Sequence, residues 1–208
     1  VVKDTLDVMS EVGGDVSAVG KAIKKLGEII SIPDKLFMKK VDRYLNGISQ
    51  IPLDKRQKYI EETAKAIQEE DAVFTLSILE KSEELSKIDI FVKLFAAKVN
   101  GDLDEIGYRR MMLQTDRTLY SDLVFMKENI CNGDLTLSTE ELQSLSAAGW
   151  LTYAGMKVLN IMEEATDTSL YTYTTSAKKF CGLVFDVNVD ARPSSSESGR
   201  LELEEIQQ

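Results

Sequence analysis

Histidine is absent from this 208-residue chain, and its only cysteines, Cys131 and Cys181, lie far apart in sequence. Without imidazole there is no Ser-His or Cys-His nucleophile pair, no His-ligated zinc and no His proton relay. Carboxylate, lysine and tyrosine chemistry remain, but no constellation of those residues stands out. The expectation is therefore a non-enzymatic protein with no catalytic, cofactor-binding or metal-ligating residues. Two isolated thiols are expected to be free rather than bridged.

Proline is also scarce, at Pro33, Pro52 and Pro193 only. Long proline-free segments let helices run uninterrupted. No run approaches the roughly 20 apolar residues of a membrane span. The most apolar stretch, Val16 to Ile32, is interrupted by Lys21, Lys24, Lys25 and Glu28 and reads as amphipathic. Since the chain opens on Val1 and not on Met, a targeting or membrane segment ahead of it stays an open alternative. A net charge of -10 argues against general nucleic-acid binding, which draws its affinity from Lys and Arg displacing counterions. The expected setting is cytoplasmic, with contact at a membrane surface as an alternative.

What the chain does contain is helical periodicity. Val2, Leu6, Met9 and Val12 recur at helical spacing before Gly13-Gly14. From Asp15, a plausible N-cap, Val16, Val19, Ile23, Leu26, Ile29 and Ile30 line one face with lysines opposite. After Pro33 comes a helix marked by Phe37, Val41, Tyr44, Leu45 and Ile48, with Lys35, Lys39, Lys40 and Arg43 read as its outer face. Pro52 opens the next, read as running through Ile60 and Ile67, with Lys55, Arg56 and Lys58 on its polar side. These seven basic residues form a local positive surface in an acidic protein. They are the candidate contacts for an acidic partner, for anionic lipid or for the chain's own acidic tail.

The segment Ala72–Leu85 is apolar over too wide an arc for a surface helix and is expected to be central. Ser86 and Asp89 have capping-box spacing before a helix from Ile88 to Val99 that is apolar almost all round. The tetrapeptide Asn-Gly-Asp-Leu closes this helix at 100–103 and recurs at 132–135, after a pattern holding Leu119, Leu123, Val124, Met126 and Ile130. Tested as calcium loops, both copies fail, because Lys98 or Ile130 would occupy the third ligand position and Gly107 or Thr139 the twelfth. Helix-ending corners are expected instead. Asp102, Asp104 and Glu105 read as ordinary acidic residues at a helix start.

From Ser138 the character changes. Ser138 and Glu141 have capping-box spacing for a short helix that Gly149 stops. Then come Trp150-Leu151-Thr152-Tyr153, an apolar stretch Met156–Met162, an acidic turn at Glu163-Glu164, the β-favouring Leu170–Thr174 and a helix from about Ser176 to Phe185. Beyond Asp190, serine and acidic residues predominate and an unordered terminus or short linear motif is expected.

Two resemblances add to this reading. The sequence 138–185, with Ala-Ala-Gly-Trp-Leu ending its first helix, resembles the second half of a winged-helix domain. In DNA-binding members that helix presents basic or amide groups, whereas here it reads Thr139-Glu140-Glu141-Leu142-Gln143-Ser144, so nucleic acid is not the expected partner. The stretch Ile32-Pro33-Asp34-Lys35-Leu36-Phe37, with Lys39, Lys40, Arg43, Ile51-Pro52 and Arg56, resembles uncharacterised bacterial helical proteins of mobile-element or phage-related loci. The resulting expectation is a mostly α protein, with a helical bundle over 1–137, a small winged-helix-like α+β segment over 138–187 and a flexible acidic tail over 188–208. Its implied role is a protein-interaction or regulatory module, in phage defence by resemblance, with an unidentified protein partner. The alternatives are anionic-lipid binding through the N-terminal amphipathic helix and basic face, and a winged-helix DNA-binding regulator.

Overall fold

The computed structural model describes residues 35–161 and 164–189. The helices expected before residue 31, and the tail beyond Asp190, lie outside the described residues. Among those described there are eight helices and one two-stranded antiparallel sheet. In chain order these are α1 (Lys35–Ser49), α2 (Leu53–Glu62), α3 (Lys65–Lys81), α4 (Ser86–Val99), α5 (Glu105–Arg117), α6 (Tyr120–Asn129), α7 (Glu140–Ala147), β1 (Leu151–Ile161), β2 (Glu164–Tyr173) and α8 (Thr175–Phe185). The protein is mostly helical.

Helix α4 is the axis, as its all-round apolarity predicts. Ile88, Ile90, Phe91, Leu94 and Ala97 are buried, and α1, α2, α5 and α8 all pack on it. Helix α1 buries Val41, Tyr44, Leu45 and Ile48, one stripe at 3.6-residue periodicity. It crosses α4 closely at Gly47, where a Cβ would lie 2.5 Å from a methyl of Val92.

Three local expectations are corrected. The helix opened by Pro52 does not run through Ile67; it stops at Glu62, and Thr63 and Ala64 adopt extended backbone before α3 begins. The break is satisfied from across the gap, since Gln68 Nε2 donates to the carbonyls of Ile60 (2.9 Å) and Thr63 (2.7 Å). Ser86 is the first residue of α4 rather than its cap, and Asp89 instead takes a two-pronged bond from Arg43 Nε (2.8 Å) and Nη2 (2.5 Å). A charge-assisted fork is the stronger competitor for that carboxylate. Finally, the two Asn-Gly corners differ. Gly101 takes a left-handed φ of +83° and closes α4, whereas Gly133 has no positive φ and leads to a bridge between Leu135 and Tyr171.

The later elements follow the sequence closely. Thr139, one residue after the expected Ser138, caps α7 by accepting from Leu142 N. Strand β1 pairs with β2 from Leu151–Tyr173 to Ile161–Glu164, with a register shift between Tyr153 and Gly155. Thr174 caps α8, which packs on α4, α6 and β2. Trp150, Phe180, Cys181 and Val184 thereby join the same core as Phe91 and Leu94. Trp150 lies 4.7 Å from Phe180 between ring centroids and donates Nε1–H to Thr118 Oγ1 at 2.9 Å. Both cysteines are free, Cys131 exposed and Cys181 buried, and burial pushes the Cys181 thiol up to about 12.

Candidate functional site: a charged cluster and a divided basic face

The densest polar chemistry lies inside the bundle, where α2, α3, α4 and α5 meet. Lys98 on α4 is buried, and its ammonium donates to Asp71 of α3 and to Glu105 of α5. Arg109, one turn beyond Glu105, bonds that same carboxylate and reaches Glu70 (3.2 Å) and Asp71 (3.3 Å). Tyr59 of α2 donates its hydroxyl to Asp71 Oδ2 at 3.0 Å. Asp71 therefore accepts from three donors on three helices.

Aromatic rings enclose the ammonium. Lys98 Nζ lies 4.7 Å from the Tyr108 ring centre and 5.8 Å from that of Tyr59, positions where the ring quadrupole attracts a cation. Phe95 stands edge-on to Tyr44, Tyr59 and Tyr108. Tyr108 shares a 3.1 Å hydrogen bond with Thr75, both buried. Burial pushes the phenols of Tyr44, Tyr59 and Tyr108 above their ordinary value, with the Asp71 carboxylate adding to the rise at Tyr59 and Tyr108.

The two carboxylates on Lys98 are driven in opposite directions. Burial raises Asp71, more than the Lys98 hydrogen bond lowers it. Burial also acts upward on Glu105, but there the hydrogen bond and charge of Lys98, with hydrogen bonds to Asp71 and from Arg109, prevail and hold it below 4.5. The acids Asp102 and Asp104 do not join them. Asp104 caps α5 by accepting from Gly107 N at 2.8 Å, and Asp102 is exposed. Sequence reasoning missed this cluster, although a lysine in a helix apolar on nearly every side was a signal that a counter-charge must lie opposite.

The seven basic residues read from sequence as one face are divided. Lys35 and Lys39 are exposed on α1, and Lys55 and Lys58 on α2. Lys58 lies 3.8 Å from Glu62, a surface pair of little energetic weight. Arg43 is held by Asp89, and Arg56 Nε donates to the Ile51 carbonyl at 2.9 Å. Lys40 does not belong to the outer face at all. It is 3% exposed, and its ammonium donates to the carbonyls of Leu79 (2.8 Å), Glu80 (3.1 Å) and Ser82 (2.7 Å), completing the C-terminal end of α3 from a neighbouring helix. The cause is angular, because Lys40 sits one turn before Tyr44 on the buried side of α1.

Among the described residues no group of three or more Cys, Asp or Glu side chains is placed to hold a metal ion, and no helix is long and apolar enough to cross a membrane. No protein family, curated protein or solved structure matches the chain.

Two measurements follow from this geometry. Lys40→Met leaves three helix-end carbonyls without their cation and is expected to lower urea-unfolding stability by about 2–3 kcal/mol, while Lys39→Met changes it by less than about 0.5 kcal/mol. Equal effects would contradict the burial of Lys40. Glu105, lowered in the folded state, contributes stability that is present above pH 4.5 and lost as pH falls through its folded value. Asp71, raised, acts with the opposite sign: its contribution is complete below 3.8 and is lost as pH rises through its folded value. Glu105→Gln should therefore flatten the fall in stability below pH 4.5, and an unchanged acid limb would show that Glu105 is not held as described.

Proposed function

We propose that the chain is a non-enzymatic protein-interaction or regulatory module, with phage defence as the bacterial setting that the sequence resemblance implies. The observation that carries this reading is the outer face of α5. Ile106, Arg110, Leu113 and Arg117 recur at spacings of four, three and four residues, and all are exposed. Ile106 is 67% exposed, and Leu119 just past the helix end is 60% exposed. Alternating aliphatic and guanidinium groups along one helix suit an amphipathic acidic segment of another protein, whose aliphatic side chains would cover Ile106 and Leu113 while its carboxylates pair with Arg110 and Arg117. The opposite side of α5 holds Tyr108, Met111, Met112 and Thr115 in the core, so the stripe is presented rigidly.

The finer assignment of 138–187 as winged-helix-like belongs to the same proposal. It is supported by the order α7, hairpin, α8 and by the bridge from Leu135 to Tyr171 beside the hairpin. With Glu140 and Glu141 in the first turn of α7, phosphate is repelled there, and a protein contact suits the segment better than a DNA groove. Contact with anionic lipid is the second reading. It draws on Lys35 and Lys39, exposed on α1 next to the 40% exposed Leu36, and on Lys55 and Lys58 of α2.

The test is affinity purification of the full-length chain alongside Arg110→Glu/Arg117→Glu, with membrane fractionation in parallel. A stoichiometric soluble partner that is lost from the variant, at unchanged unfolding stability, is the expected result. A partner retained equally by the variant would overturn the α5 assignment. Recovery only in the membrane pellet, abolished by Lys35→Glu/Lys39→Glu, would replace the proposal with lipid binding.

A further inference from the structure

Asn-Gly dipeptides stand at 46–47, 100–101 and 132–133. That pairing carries a chemistry of its own. The backbone nitrogen that follows an asparagine can attack the side-chain amide carbon, and glycine, having no Cβ, obstructs the approach least. The fold gives the three copies unequal freedom to react.

Asn46 and Gly47 lie inside α1, where helical hydrogen bonding fixes the backbone and Gly47 is pressed against Val92. The Asn46 amide also donates to Asp42 at 3.1 Å. At the second copy the attacking nitrogen is itself engaged, since Gly101 N–H donates to the Lys98 carbonyl at 3.0 Å in the left-handed turn that closes α4. The third copy follows the end of α6, in neither helix nor strand, with Asn132 and Gly133 both exposed. Asn132 Nδ2 donates to Asn129 Oδ1 at 2.9 Å, a bond that occupies the amide nitrogen and not the carbon under attack. Around Gly133 a Cβ would meet nothing within 4 Å, so a ring has room to close there.

We infer that Asn132 is a site of spontaneous covalent modification, selected by the fold from the three Asn-Gly pairs. The Gly133 nitrogen gives up its proton and bonds to Asn132 Cγ, the bond from Cγ to the side-chain nitrogen breaks, and ammonia leaves with that proton. Water then opens the cyclic imide at either carbonyl, giving aspartate or isoaspartate. Water is the only co-reactant. Both products place a new carboxylate two residues from Asp134, and isoaspartate also lengthens the main chain by one carbon. The change falls just ahead of Leu135, which donates to the Tyr171 carbonyl at 2.8 Å and accepts from Tyr171 N at 2.7 Å. The modification therefore acts at the joint that ties the end of α6 to the β1–β2 hairpin.

The test is incubation of the full-length chain at neutral and mildly alkaline pH, read by peptide mass spectrometry and ion exchange. Conversion at Asn132 is expected to run at least about tenfold ahead of Asn100, the factor that one backbone hydrogen bond supplies, with Asn46 slower still. All rates should rise with pH, because the attacking nitrogen must lose its proton. In urea-unfolded chain the three sites should converge. Gly133→Ala has space for its methyl and no positive φ to strain it, so it should slow conversion while leaving unfolding stability unchanged. In the purified isoaspartyl form, the amides of Leu135 and Tyr171 should exchange faster than in the unmodified chain. Equal conversion at Asn132 and Asn100 in the folded chain, an ordering that persists in urea, or undiminished conversion in Gly133→Ala would each overturn the site. Unchanged exchange at Leu135 and Tyr171 would overturn its action on the hairpin joint.

Discussion

Lys98 carries a full positive charge into an interior built from Tyr44, Phe95 and Tyr108, and the placement of four helices follows from neutralising it. An ammonium withdrawn from water loses several kcal/mol of hydration, which attraction to a counter-ion offsets only in good geometry. Here Asp71 and Glu105 supply two carboxylates from α3 and α5, and two ring faces supply negative potential. Asp71 brings its own desolvation, which Tyr59 and Arg109 relieve. A sliding of α3 or α5 by one turn along α4 would strand a buried charge. Hydrophobic packing by itself tolerates such slippage far more readily, so the cluster fixes register where the apolar core supplies most of the stability.

Two further polar ties act outside this centre. Lys40 joins α1 to the end of α3 through three carbonyls. Trp150 joins the last third of the chain to α5 through Thr118, whose own hydroxyl donates to the Gln114 carbonyl at 2.7 Å. The Gln114 amide in turn donates to the carbonyls of Ala148 (3.3 Å) and Gly149 (3.2 Å) at the end of α7. These ties leave α5 rigid on its inner side and free to present Ile106, Arg110, Leu113 and Arg117 on its outer side. Rigidity is thus distributed by where the buried hydrogen bonds fall, and the α5 surface proposed for interaction lies on the helix that also supplies Glu105 and Arg109 to the cluster.

How far the sequence disclosed this depends on the kind of signal. Apolar periodicity placed α1, α4, α6 and α8, and the β-favouring run Leu170–Thr174 marked the second strand of the hairpin. Each is a local pattern whose meaning survives without knowledge of neighbours. Contacts between distant residues were not legible. Arg43 takes Asp89 away from the expected cap of α4, and Gln68 permits a helix break that the run from Pro52 to Ile67 does not announce. Lys40 shows the limit from another side: its angular position on α1 already placed it with Tyr44, but its charge suggested solvent, and the carbonyls that overrule that preference lie some 40 residues away. Lys98 was legible as an anomaly in an apolar helix, while its partners Asp71 and Glu105 were not, because nothing local distinguishes the one from other acids within a helix or the other from acids at helix starts.

The most direct test of the account is a double-mutant cycle on the central pair, comparing Lys98→Met, Asp71→Leu and the double variant by urea unfolding. Removal of either partner leaves the other charge buried and is predicted to lower stability by about 3–5 kcal/mol. The double variant, with both charges gone, is predicted to fall short of the sum by about 2 kcal/mol or more. Single losses that simply add, to within about 0.5 kcal/mol, would contradict the claim that this ion pair sets the arrangement of the bundle.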